Sequence, residues 1–183
     1  MATSDEHTTL PLPEFNPPAR ILIVCAPYYR KIAEGLLAGA RATIEAAGCS
    51  HDLIEVPGAL EIPPAIRIAA QNQGYSGYVA LGCIIRGETT HYDTVCNDSS
   101  RGLMILGVDH GLCIGNGILT CETMDQAIVR ADPEQMNKGG GAAAAALHLA
   151  ALKRNFRVQR GDQPMPESDD FMLAGGTGLS RTI

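Results

Sequence analysis

Two stretches, Val56-Pro57-Gly58-Ala59-Leu60-Glu61-Ile62-Pro63 and Gly82-Cys83-Ile84-Ile85-Arg86-Gly87-Glu88-Thr89-Thr90-His91, decide how this chain folds. Each leaves a hydrophobic strand, breaks at proline or small residues, and sets polar groups where the next helix is about to begin. Parallel sheets keep their ligand sites at such junctions, outside the carboxyl ends of the strands.

Upstream of the first stretch, residues 20–26 (RILIVCA) form a short continuous apolar run closed by Pro27, the pattern of a strand buried on both faces. Over 29–47 the apolar residues Ala33, Leu36, Leu37, Ala40, Ile44 and Ala47 recur at threes and fours, which predicts an amphipathic helix stopped by Gly48. The alternation continues with a strand at 52–56, a helix at 61–73 whose first turn tolerates Pro63 and Pro64, and a strand at 77–83. Helices at 91–108, 124–130 and 138–156 and a strand at 112–119 complete the pattern. The β-α-β-α-β-α-β-α-α order implies right-handed crossovers and an α/β fold, a three-layer flavodoxin-like sandwich around a four-stranded parallel sheet. Residues 1–19, with Pro11, Pro13, Pro17 and Pro18, read as an extended N-terminal arm, 20–156 as the single domain, and 157–183, charged and then glycine-rich, as a flexible C-terminal tail.

Composition narrows the function. Five Tyr, three Phe and no Trp leave Ala, Ile, Leu and Val to build the core, so a tyrosine at a loop stands out. A formal charge of −6 without a Lys/Arg stripe argues against nucleic acid as a partner. No apolar run reaches the roughly 18 residues of a membrane span. The amino terminus lacks the basic and apolar regions of a secretory signal. The six cysteines contain no C-x-x-C pair and several sit in apolar strands, which reads as free buried thiols in a reducing compartment, without a metal site. A cytoplasmic location is the expectation.

His91 is the sharpest chemical candidate. Thr90 and Asp93 have capping-box spacing, with Asp in place of the usual Glu or Gln, which puts His91 in the first turn of a helix at the edge of the sheet. An imidazole titrates near neutrality, and the positive end of a helix favours its neutral, base-competent form. Spacing alone equally allows a surface or capping histidine. Arg86-Gly87-Glu88-Thr89-Thr90 brings amides and hydroxyls to a helix start, a ready anion site. Arg130 ends a short helix capped by Thr123 and Gln126, where a cation stabilises by about 0.3–1 kcal/mol whether or not it binds anything. Lys138 opposes the dipole of the last helix and precedes Gly139-Gly140-Gly141. Close approach to an anionic ligand would explain that arrangement, and so would a misplaced helix boundary. Glu61 suits either a ligand hydroxyl or a helix first turn, and Tyr28 either a stacking platform or the rim of the core.

In order along the chain from Arg20 to Phe156, V-P-G-A-x-E-I-P, L-G-x-x-I-R-G-x-T-x-H, Arg130 and Lys138 resemble the lumazine synthase family. The resemblance implies condensation of 5-amino-6-(D-ribitylamino)uracil with 3,4-dihydroxy-2-butanone 4-phosphate, giving 6,7-dimethyl-8-ribityllumazine, phosphate and water, without metal or organic cofactor. It implies Tyr28 stacking on the pyrimidine, Ala59, Leu60 and Glu61 along the ribityl chain, and the backbone of Cys83, Ile84 and Ile85 against the uracil. Glu88 and Thr89 would adjoin the butanone phosphate, His91 would transfer protons, and Arg130 with Lys138 would hold phosphate. The family's site lies between subunits of a pentamer, so a homo-oligomer is implied, with Asn116 presented from the second chain. Tyr28-Tyr29 replaces the usual Phe-Asn pair, and Asn116 stands where an aromatic is common. The competing expectation is a non-catalytic paralogue that binds flavins or lumazines or builds a shell, against which His91 and Arg130 together speak.

Overall fold

In the computed structural model, which describes residues 10–72 and 74–159, four parallel strands form one sheet in the order β2-β1-β3-β4. The elements run β1 (Arg20–Cys25), α1 (Arg30–Ala46), β2 (Ser50–Glu55), α2 (Ile62–Ala70), β3 (Gly77–Ile85), α3 (His91–Val108), β4 (Ile114–Cys121), α4 (Met124–Ala131) and α5 (Lys138–Gln159). A 3₁₀ turn at Ala59–Glu61 leads into α2, whose first turn accommodates Pro63 and Pro64 as expected. The three-layer sandwich is present. Odd residues of β1 (Ile21, Ile23, Cys25) join Val79, Leu81, Leu119 and Cys121 in a core shared with α1, α4 and α5. Even ones (Leu22, Val24) join Tyr78, Ala80 and Ile84 under α2 and α3.

Central position explains which strands are apolar throughout. β1 from Ile21 on and β3 up to Ile84 are buried, because helices cover both faces and a neighbour pairs on either side. The edge strand β4 instead alternates, with Gly115, Gly117, Leu119 and Cys121 inward and Asn116 and Thr120 exposed. It starts two residues later than expected from the sequence, and β3 runs two residues further, to Ile85, where it pairs with Cys121.

Small residues set the distance between α1 and α5. A Cβ on Gly139 would run into the Leu36 carbonyl of α1, and one on Gly115 into the Ala142 carbonyl of α5. Gly39 leaves room for the Asn137 side chain, whose Oδ1 accepts from the Gly140 amide at 3.0 Å and so caps α5. Asn137 itself takes a left-handed backbone, φ 43°, which Asn tolerates better than most residues. Gly48, at φ 66°, ends α1 as the sequence suggested. The boundary at Lys138 stands, and two of the glycines after it have a cause within the chain. Gly139 serves helix packing and Gly140 makes room for the Asn137 cap, while open space lies around Gly141 alone of the three.

Residues 10–19 form no helix or strand, and Leu12 and Phe15 pack onto the core. Arg154 of α5 donates to the carbonyls of Asn16 and Pro17, so this part of the arm is held against the body. The helix α5 continues through Gln159, three residues into the span assigned to the tail, and the rest of that span lies outside the described residues. No helix among the described residues is long and apolar enough to cross a membrane.

The glycine assignment is testable. Gly139→Ala should cost about 1–3 kcal/mol of stability through overpacking, whereas Gly141→Ala should be neutral or stabilise by up to about 1 kcal/mol through helix propensity. Denaturant midpoints of the two variants, compared with wild type, measure the difference.

Candidate active site

All strands release the chain at one edge. Ala26 donates to the Leu81 carbonyl (2.8 Å), Val56 to that of Cys25 (2.9 Å) and Arg86 to that of Cys121 (3.0 Å), so the segments after β1, β2 and β3 emerge side by side. Between them lies a cleft of about 400 Å³ lined by Tyr28, Gly58, Ala59, Leu60, Glu61, Cys83, Ile84, Ile85, Thr89 and His91. The Tyr28 ring is 74% exposed and meets Tyr29 edge to face, with centroids 5.0 Å apart and planes at 74°. It is a platform at the mouth of the cleft, not a closure of the core. The turn at Ala59–Glu61 buries Ala59 and folds the Glu61 carboxylate back over Gly58, where a Cβ would stand 2.8 Å from Oε2.

The β3–α3 junction differs from the capping box expected at Thr90. Thr90 has helical backbone angles and makes no side-chain cap, while Thr89 Oγ1 accepts from the His91 amide at 3.4 Å. Either threonine carries the needed hydroxyl, and the backbone angles choose between them. Asp93 does not reach back to the cap. Its carboxylate accepts from Arg86 Nη1 and Nη2 at 3.5 and 3.3 Å, and Glu122 Oε2 accepts from Arg86 Nε at 2.7 Å. The Arg86 guanidinium also lies over the Tyr92 ring, 4.0 Å from its centroid. Glu122, then Asp93, raise its pKa further. The Arg86 guanidinium is therefore engaged by carboxylates of the same chain, while the amides and hydroxyls of 87–90 are not what they bind.

All six cysteines are free, as expected. Burial pushes the Cys83 thiol up to about 12, with Cys121 beside it adding to the shift, and burial raises Cys25 to about 11. Neither is a nucleophile near neutral pH, which leaves Cys83 its backbone as the group to offer a ligand.

A second cleft of about 390 Å³ opens beside β4 and is lined by Asn116, Gly117, Ile118, Leu119, Thr120, Arg130, Lys138, Gly141, Ala142 and Ala145. Arg130 Nη1 donates to the Gln126 carbonyl at 3.0 Å, one turn back on α4. Thr123 Oγ1 caps that helix by accepting from the Gln126 amide at 3.4 Å, and Gln126 Oε1 accepts in return from Glu122 instead of Thr123. Asn116 Oδ1 accepts from the Ile118 amide of its own strand at 3.0 Å. The two clefts share no lining residue, so within one chain His91 and Tyr28 are brought together, and so are Arg130, Lys138 and Asn116, but the two groups are not. Exposed Glu88 belongs to neither lining. Sequence reasoning missed Tyr92, Val95 and Thr120; the helical spacing from His91 to Val95 and the alternation from Asn116 to Thr120 were the available signals.

An aromatic platform, a carboxylate, exposed strand-end backbone and a histidine at one edge, with two cations in a separate cleft, mark a flavodoxin-like α/β protein with two polar clefts beside its sheet. The 6,7-dimethyl-8-ribityllumazine synthase family model matches residues 18–154. A protein of that name from Jannaschia sp. (strain CCS1) is 55% identical over 168 residues, covering 92% of this chain and 94% of the relative. One from Methylorubrum populi is 59% identical over 145 residues (76% and 86%), and one from Bartonella tribocorum 53% over 148 (80% and 98%). The chain belongs to the 6,7-dimethyl-8-ribityllumazine synthase family.

The thiol environments predict a labelling order. With a thiol-specific disulfide reagent at pH 8, half-buried Cys96 should react first and Cys25 and Cys83 only on unfolding. Mass spectrometry of labelled peptides reads the sequence of events; early modification of Cys83 would contradict its enclosure.

Proposed function

We propose that this protein makes 6,7-dimethyl-8-ribityllumazine from 5-amino-6-(D-ribitylamino)uracil and 3,4-dihydroxy-2-butanone 4-phosphate, in riboflavin biosynthesis. The observation that carries this reading is the convergence of V-P-G-A-L-E-I-P and L-G-C-I-I-R-G-E-T-T-H on one cleft in a chain of this family. Tyr28 stacks on the pyrimidine, Ala59, Leu60 and Glu61 receive the ribityl chain, and the backbone of Cys83, Ile84 and Ile85 binds the uracil edge. Thr89, with Glu88 nearby, adjoins the butanone, and Arg130 and Lys138 hold its phosphate. Asn116 supplies the wall opposite Tyr28.

Chemistry follows from proton movement. The pyrimidine amine adds to the ketone and loses water to an imine, phosphate leaves with its bonding electrons, and the second nitrogen closes the ring with loss of another water. Each step moves a proton between nitrogen, carbon or oxygen, and His91 at the rim of the cleft is placed to carry it. Holding the two substrates face to face contributes at least as much.

The separation of the two clefts supports a homo-oligomer, since a neighbour's β4–α5 cleft must meet the His91 cleft to complete a site. A pentamer closes such head-to-tail contacts into a ring. Free buried thiols support a cytoplasmic location. We assign 1–19 as an arm, 20–156 as the catalytic domain and the residues after α5 as a tail.

Incubation of the purified protein with both substrates should yield the lumazine chromophore without added metal; folded protein giving no product at saturating substrate would favour a binding paralogue. His91→Ala should lower kcat about 10-fold or more, the low end of acid–base effects because positioning survives. Arg130→Ala should instead raise KM for the butanone phosphate much more than for the pyrimidine, as one guanidinium–phosphate contact is lost. Equal effects on both substrates would point to folding or assembly.

A further inference from the structure

The loop that delivers His91 is weakly held by its own residues. From Gly87 to Thr90 it forms no helix or strand, Glu88 through His91 are exposed, and a Cβ on Gly87 would meet nothing within 4 Å. The Thr89–His91 hydrogen bond is long, at 3.4 Å. Firm anchorage begins on either side of it. Arg86, just past the end of β3, grips Asp93 in the first turn of α3 and Glu122 just past β4, and covers the Tyr92 ring. Tyr92 and Asp93 are the two residues that directly follow His91. One guanidinium thus ties the strand ends to the helical turn that bears the imidazole.

We propose that Arg86 is a positioning residue for His91, fixing the first turn of α3 against the ends of β3 and β4, and that it is not an anion ligand. The proposal rests on the reading of this protein as a lumazine synthase with His91 as its proton carrier. Its charge is matched by two carboxylates within 3.5 Å, which take its Nε and one N–H on each terminal nitrogen. The role also depends on shape. A planar fork can hold two carboxylates and lie flat over a ring, whereas an ammonium concentrates its charge at one point.

A kinetic cycle over wild type, Arg86→Gln, His91→Ala and the double variant tests it, because residues that act through one another are not additive. Arg86→Gln should lower kcat about 5- to 10-fold, with less than about a 2-fold change in KM for the butanone phosphate. In the His91→Ala background the same change should cost less than about 2-fold. Arg86→Lys should fail to restore kcat. Amide hydrogen exchange of wild type and Arg86→Gln, which needs no turnover, should show faster exchange confined to residues 87–94. An equal loss of kcat in both backgrounds would overturn the proposal, as would unchanged exchange at 87–94. So would a raised KM for the butanone phosphate that Lys restores, the mark of an anion ligand. If Arg86→Gln loses its fold, the cycle and the exchange run with Arg86→Lys read the same outcomes. A folded wild type without turnover rejects the synthase reading itself, and the exchange experiment still decides whether Arg86 anchors the loop.

Discussion

Parallel pairing of all four strands is the constraint on which the site depends. Because every strand points the same way, the chain must leave the sheet at one edge each time, and the segments after β1, β2 and β3 are delivered as neighbours without any contact designed to bring them together. Tyr28, Glu61 and His91 share a cleft for this reason, although they are spread across three crossovers. Local chemistry then refines what topology supplies. The 3₁₀ turn sets the angle of Glu61, and the ion pairs of Arg86 set the start of α3.

The same sheet has two unlike edges. Among the described residues β4 carries one neighbour, its outer residues are exposed and its glycines let α5 approach until no side chain would fit between them. The cleft that holds Arg130 and Lys138 lies on this edge, away from the His91 cleft, and Asn116 spends its side-chain oxygen on its own strand. Occupying an edge amide in this way also blunts the strand against indiscriminate pairing. On the proposed function, a chain divided like this keeps the groups of its two clefts apart, which would make assembly part of the chemistry.

Features set by near neighbours were legible in the sequence. The apolar runs of β1 and β3, the Gly48 stop, the start of α3 at His91 and of α5 at Lys138 all follow from residues within a turn or two. What escaped depends on partners distant in sequence. Gly139 answers to Leu36 across a helix interface, and Arg86 to Glu122, 36 residues away. Neither partner is visible before the fold is known, so the sequence leaves the glycines between a ligand and a misplaced boundary, and shows Arg86 only as part of a loop of amides and hydroxyls. The choice of Thr89 over Thr90 turns on backbone angles that two adjacent hydroxyls leave undetermined. The separation of Arg130 and Lys138 from His91 is likewise a property of the fold, and the sequence sets only Asn116 apart, by family resemblance.

The central claim, that each site is completed by two chains, is tested most directly by mixing. His91→Ala and Arg130→Ala subunits, unfolded together, reassembled one to one and assayed at butanone phosphate far below the KM of Arg130→Ala, should recover roughly a quarter of wild-type activity, since random assembly gives each site an even chance of an intact residue from either side. Activity no higher than the average of the two variants assembled separately would mean that both residues serve within one chain, and would contradict the account.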